Sequence, residues 1–318
     1  MTIALITSIL WVTIRAGTSL LYATVGEILT ERAGILNLGV EGIMIVGAVT
    51  GFAAAFHTKQ VWVGVGVAML SGAVMAFIHA FLSVSLRAEQ VVSGLALTIF
   101  GTGLANYLGQ RLGPNGAPLV GMVGPKFTPA PLSGLADIPI VGKSVFNQDI
   151  LTYATYLLVP LLWYFLNRTR PGLHLRAVGE NPQTADAMGV NVAGIRYFYT
   201  IVGGMLIALG GAHLSLAYTP GWTEGLTAGR GWIAIALVIF ATWDPVRAVV
   251  GAILFGGINA VQFRMQAAGT TIPAAFLNML PYIFTILVLV LITWWEGIRK
   301  RVGAPAALGL PYAREEKR

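Results

Sequence analysis

Arg15, Asn37, Glu41, Asn106, Asn259, Gln262 and Asn278 stand inside long apolar runs of this sequence. A charge within a hydrocarbon layer is costly and usually faces a bundle interior or a water-filled path. Amides offer both donors and acceptors, which suits a neutral hydroxylated solute better than an ion. Trp222 and Trp232 add faces on which a flat ring can stack. Asn37, Glu41, Trp222, Trp232, Asn259 and Gln262 are therefore the candidate lining of a solute path. Each has a structural alternative. The amides can join helices, and Glu41 can serve a backbone N–H, Arg15 or Arg32. Both tryptophans can anchor a membrane interface.

Other chemistry has little support. The sequence holds no phosphate-binding G-x-x-x-x-G-K-[ST] loop and no H-E-x-x-H, and Gly101-Thr-Gly103 sits in an apolar run with no strand before it. His57, His79, His174 and His213 are scattered without metal-ligand spacing. The absence of cysteine excludes thiolate ligands, disulfides and a cysteine nucleophile. The expectation is a chain with no catalytic residues, no metal and no cofactor of its own.

The elements that carry these residues follow from composition. Over 318 residues, 56% are hydrophobic and 10% charged, against about 25% charged in soluble domains; mean hydropathy is +0.75. Apolar blocks of about 17–25 residues match a hydrocarbon core of ~30 Å. The fold class is all-α, a polytopic transmembrane bundle of about nine spans: 4–29, 34–56, 61–86, 90–110, 150–167, 197–218, 226–243, 246–263 and 273–295. Helix is the default because a lone strand leaves its backbone unsatisfied in lipid. Net charge is +7; in such a chain it marks cytoplasmic loops, not nucleic-acid binding. Arg168, Arg170, Arg176 and Arg196 in one loop, and Arg299, Lys300, Arg301, Arg314, Lys317 and Arg318 in the tail, set both segments inside. The N-terminus and the Pro-rich segment 111–149 then lie outside.

Residues 42–54 (GIMIVGAVTGFAA) and 231–243 (GWIAIALVIFATW) are each followed by a turn and a helix rich in small residues. The ladder Ala68, Gly72, Ala76 recurs as Ala252, Gly256, Ala260. Small residues at this spacing let membrane helices approach closely. The pattern predicts an inverted repeat, spans 1–4 against spans 6–9. The chain then forms one transmembrane domain: repeat one over 1–110, an external loop over 111–149, a connector span over 150–167, a cytoplasmic loop over 168–196, repeat two over 197–295 and a tail over 296–318. In such folds the solute path follows interrupted segments at matching positions. Here these are Gly26–Gly42 and Gly210–Gly231. Apart from Glu41, the middles of the spans are read as nearly free of carboxylates, which argues against ion coupling.

In the loop 168–196, Asn181 and Pro182 look like the cap and first residue of a short helix that runs to Met188 and stops at Gly189. The string GENPQTADAMGVNV resembles the cytoplasmic loop of permeases of the ribose and branched-chain amino-acid group of ABC importers. ERAGILNLGVEGIMIVGA (31–48) and GRGWIAIALVIFATWDPVRAVVGA (229–252) resemble the nucleoside-uptake subgroup of the same family. Asp186 departs from the wider motif, which often has Ala there.

The resemblance implies that Glu180, Asn181, Ala185 and Gly189 form a coupling helix that docks on an ABC ATPase. It implies ATP and Mg²⁺ used by that partner, a second permease subunit of different sequence and an extracytoplasmic solute-binding protein. The plasma membrane and its lipid are the setting, with no nucleic acid. Nucleosides are the expected solutes. A ribose-like sugar permease, or a self-contained secondary transporter or channel, is the alternative.

Overall fold

The computed structural model describes residues 2–299 and 303–314. Lys300, Arg301, Lys317 and Arg318 of the basic tail, and the side chain of Asn278, lie outside the described residues.

Twelve α-helices are described: α1 Thr2–Arg32, α2 Val40–Thr58, α3 Val61–Ala80, α4 Gln90–Gly109, α5 Val141–Val145, α6 Ile150–Arg168, α7 Arg170–Glu180, α8 Pro182–Ala187, α9 Val192–His213, α10 Arg230–Phe240, α11 Pro245–Ala267 and α12 Ala274–Arg299. α3 and α9 each run on into a π turn, Phe81–Ser85 and Leu214–Tyr218. Among the described residues, seven helices are long and apolar enough to cross a membrane. Their outward faces carry large apolar side chains such as Leu70, Ile99, Leu157 and Val250. Water would not tolerate such a surface over a whole molecule; lipid does.

Helix starts follow local chemistry. Asp149 caps α6 by accepting the Leu151 and Thr152 amides at 3.1 Å. Asp244 caps α11 through the Val246 and Arg247 amides, with Pro245 at the first helical position. Such caps hold orphan donors that a membrane interior cannot solvate.

The centre is built by α1 and α9, which cross each other and are flanked by α11 and α3, with α2 against α9. Small residues set these crossings. A Cβ at Gly256 of α11 would collide with Thr13 O and Gly17 of α1, and one at Gly72 of α3 with Gly204 O and Ala208 of α9. At the α1–α9 crossing, Gly26 and Gly203 meet in the same way.

Two expected spans need correction. The span expected over 34–56 starts later, because residues 33–39 are not helical and Gly34 has a φ of +84°. The span expected over 226–243 holds only the 11-residue α10, about 16 Å long at 1.5 Å per residue. Its N-terminal part is an irregular segment with Gly225 and Gly229 at positive φ, and Thr242 and Trp243 turn the chain the same way beyond its end. Residues 111–149 carry a 3₁₀ turn at Pro114–Gly116 and the one-turn α5.

Candidate solute path and coupling surface

The two interrupted segments meet through Glu41. It lies in the first turn of α2, and its carboxylate accepts Thr227 Oγ1 at 2.5 Å, the Gly229 amide at 3.0 Å and the Gly231 amide at 2.6 Å. The first orphan donors of α10 are thus satisfied by a residue of the other broken helix. A negative group is also favoured there by the helix dipole. Of the alternatives for Glu41, the backbone N–H is the one observed.

Asn37 is fully buried in the first segment. Its side-chain oxygen accepts the Gly39 amide at 2.9 Å, and its backbone amide donates to Glu27 Oε1 at 3.2 Å. Gln90 of α4 accepts the Leu36 amide at 2.7 Å, and His79 of α3 lies 3.1 Å from Leu36 O. The irregular backbone between α1 and α2 is therefore held by side chains from three helices. Non-helical backbone at membrane depth is tolerated when buried in protein in this way.

Glu27 and Glu31 add two carboxylates in the last turns of α1, outside the middle of its span. Both are buried one turn apart on α1, and Glu31 Oε2 accepts Trp243 Nε1 at 2.5 Å. Glu27 Oε1 accepts the Asn37 amide, while its Oε2 has no hydrogen-bond partner.

Arg15 pairs with Asp149, at 3.5 Å, and not with Glu41. Its Nη2 donates to Ala217 O at 2.5 Å, a carbonyl of the π turn that ends α9. His213 Nε2 lies 3.6 Å from the same Asp149 carboxylate. Arg230, at the start of α10, donates to Ala16 O at 3.3 Å and stacks over Tyr218. Sequence reasoning misses Asp149 and Arg230, which stand at helix starts, and His213, which lies inside the expected span 197–218 where α9 runs on into its π turn. For the first two, the one clue is a charge bordering an apolar run.

The remaining candidates are dispersed. Trp222 is 1% exposed and sits behind Gly109 at the end of α4. Trp232 is 38% exposed on α10. Asn259 returns its amide to Phe255 O of its own helix at 3.1 Å, and Gln262 is buried one turn further along α11. Asn37 and Glu41 belong to the junction of the two broken segments. Among the described residues no group of three His, Asp or Glu is placed to hold a metal ion.

On the opposite side of α1 from its N-terminus, the loop 168–196 forms α7 and α8. Asn181 Oδ1 accepts the Thr184 amide at 2.9 Å and caps α8, which ends before Gly189 at a φ of +82°. Ala185 points inward. It is 4% exposed and packs with Val178 and Val192, so it seats α8 from below. Gly189 and Met188 are exposed. α7 is not legible in the sequence, since its Pro171-Gly172 start reads as loop. The segment 303–314 returns to this face: the Ala307 amide donates to Gly179 O at 2.9 Å, the Ala306 amide to Glu180 Oε2 at 3.3 Å, and the Gly309 amide to Gly34 O at 3.2 Å.

Residues 9–293 match the family described as branched-chain amino acid transport system / permease component. The chain belongs to this family. Among its relatives, the putative glucose ABC transporter permease protein TsgC13 of Haloferax volcanii is 43% identical, over 95% of this chain and 96% of the relative. The nucleoside ABC transporter permease protein NupC of Lactococcus lactis is 35% identical and the guanosine ABC transporter permease protein NupQ of Bacillus subtilis 32%, each over 94% of both chains. The permease is thus a multi-pass membrane component of an ABC transporter, as the loop 168–196 and the segments 31–48 and 229–252 suggest.

Proposed function

We propose that this permease is one half of the solute path of an ATP-driven importer that brings nucleosides across the plasma membrane. The observation that carries the reading is full-length similarity to permeases named for nucleosides and guanosine, at 35% and 32% identity. ABC ATPase subunits supply ATP hydrolysis with Mg²⁺, a second permease chain of different sequence completes the path, and an extracytoplasmic binding protein delivers the solute.

The chain crosses the membrane nine times on this reading, with the N-terminus outside and α7, α8 and the tail in the cytoplasm. Three features support it: the seven long apolar helices with α12 as an eighth crossing, α10 with its preceding segment as a broken ninth span, and the shared face of the basic loop and the tail. α1–α4 and α9–α12 are read as an inverted repeat. In support, the Gly72 contact of α3 on α9 has a counterpart in the Gly256 contact of α11 on α1. Glu180, Asn181, Ala185 and Gly189 belong to the ATPase-coupling element, with Met188 on its outer face. Asn37, Glu41, Trp222, Trp232, Asn259 and Gln262 remain the proposed path set. Trp232 is the half-open ring able to stack on a nucleobase.

A simple-sugar importer is the second reading, favoured by 43% identity to a putative glucose permease. Nucleosides and sugars share a hydroxylated ring and differ in the base. ATP-dependent uptake of labelled uridine by the complex in proteoliposomes, competed by guanosine, ribose and glucose, separates the two. Competition by guanosine alone supports the nucleoside reading, and competition by glucose alone supports the sugar reading.

A further inference from the structure

A small cavity of about 290 Å³ opens on the face that carries α8 and the tail. Its wall includes Arg87 beyond the π turn that follows α3, Arg196 on the first turns of α9, and Arg314 of the tail, together with Asn191, Asp186 and Tyr312. Asp186 is matched by Arg314 at 3.1 Å. Among the described residues no ion pair engages Arg87 or Arg196.

Arg196 is the decisive residue. It is 1% exposed, and one guanidinium nitrogen, Nη1, donates to Leu310 O at 3.1 Å. Its Nε and Nη2 have no partner. A buried charge left with open donors costs far more than one whose donors are filled. The cavity also abuts the N-terminus of the 22-residue α9, capped by Asn191 through Gly194 N at 2.9 Å, where the helix dipole favours negative charge.

We propose that this cavity is an anion site for a phosphate group, held by Arg87 and Arg196 at the start of α9. Guanidinium forks match phosphate oxygens in pairs. The volume lies at the lower end of ligand pockets, ~300–1,000 Å³, so it takes a phosphate head and not a whole nucleotide. Two sources carry that chemistry: free phosphate and the head of an anionic phospholipid. On the orientation proposed above the site faces the cytoplasm at the membrane surface; it does not depend on which solute is carried. An anion there ties the end of α3 to the start of α9, which Arg196 links to the tail through Leu310 O, and so steadies the face on which α8 is seated.

The test uses the assembled transporter purified in detergent and stripped of anionic lipid. Inorganic phosphate is titrated while the thermal midpoint and heat of binding are read. The same complex is then placed in vesicles of phosphatidylglycerol or of phosphatidylcholine. The expected result is saturable phosphate binding that Arg87→Gln weakens about tenfold or more, the loss of one charge-assisted bond. Arg196→Gln should weaken it at least as much, and because that variant can also loosen the tail, the exposed Arg87 variant decides. Stabilisation by phosphatidylglycerol over phosphatidylcholine that needs Arg87 and blocks phosphate binding supports the site and names lipid as its source. No saturable phosphate binding together with no lipid preference, or binding equal in wild type and both variants, overturns the proposal.

Discussion

The carboxylate of Glu41, in the first turn of α2, accepts the backbone amide of Gly231, in the first turn of α10, at 2.6 Å. Two broken helices from opposite ends of the chain therefore share one charged group at their N-termini. The junction has no slack: a Cβ at Gly231 would collide with the Glu41 backbone and come within 2.8 Å of Glu41 Oε2.

Glu41→Gln keeps the size of the side chain but replaces one acceptor with a donor facing amides. The expected cost is about 2–3 kcal/mol, that of losing a charged hydrogen bond and leaving a donor unpaired. The thermal midpoint of the purified complex should fall and uptake should be lost. Unchanged stability and uptake would mean that the junction contributes nothing.

Asp149→Asn leaves the α6 cap in place, because an amide oxygen can still accept the Leu151 and Thr152 amides. It removes the charge that faces Arg15. Breaking one side of a buried pair costs about 3–5 kcal/mol. The folded yield should drop, and Asp149→Asn with Arg15→Met together should recover part of it. A double variant no better than Asp149→Asn alone would contradict the pairing.

Gly72→Val and Gly256→Val each place a branched side chain where two helix backbones meet. Overpacking of this kind costs about 1–3 kcal/mol or more. Both should lower the monodisperse yield of the complex in parallel, whereas Gly103→Val, with open space around it, should not. This parallel loss is also what the inverted-repeat reading requires.

Met188 is exposed beyond α8, and Ala185 is buried beneath it. Met188→Asp should leave thermal stability within about 0.5 kcal/mol, as exposed substitutions do, yet weaken co-purification of the ATPase subunits. Ala185→Trp should lower stability as well, since it displaces α8 from Val178 and Val192. Equal ATPase recovery with Met188→Asp and wild type would remove α8 from the coupling surface.

Much of this arrangement is legible in the sequence. Apolar blocks locate the long helices, and Asn181-Pro182 marks the start of α8. The glycine-rich stretches at 26–42 and 210–231 mark where helix gives way to irregular backbone. Partners are not legible. Glu41 meets residues almost 190 positions away, and nothing local distinguishes backbone amides from Arg15 as its partner. Glu27 and Glu31 stand at the end of a span, and nothing local shows that Asn37 and Trp243 of other segments supply their donors. Ala185 and Gly189 share a spacing, but only packing reveals that one faces inward and the other outward. α10 is shorter than its hydropathy suggests, because apolar residues continue through Thr242 and Trp243 after the helix has turned.

The central claim is that the permease conducts solute only as part of an ATP-driven assembly. The most direct measurement is uridine uptake into proteoliposomes holding the permease with its co-purified subunits, with and without ATP and the binding protein, and into proteoliposomes holding this chain alone. Uptake that requires ATP, the ATPase subunits and the binding protein is the predicted result. ATP-independent uptake by this chain alone would contradict it.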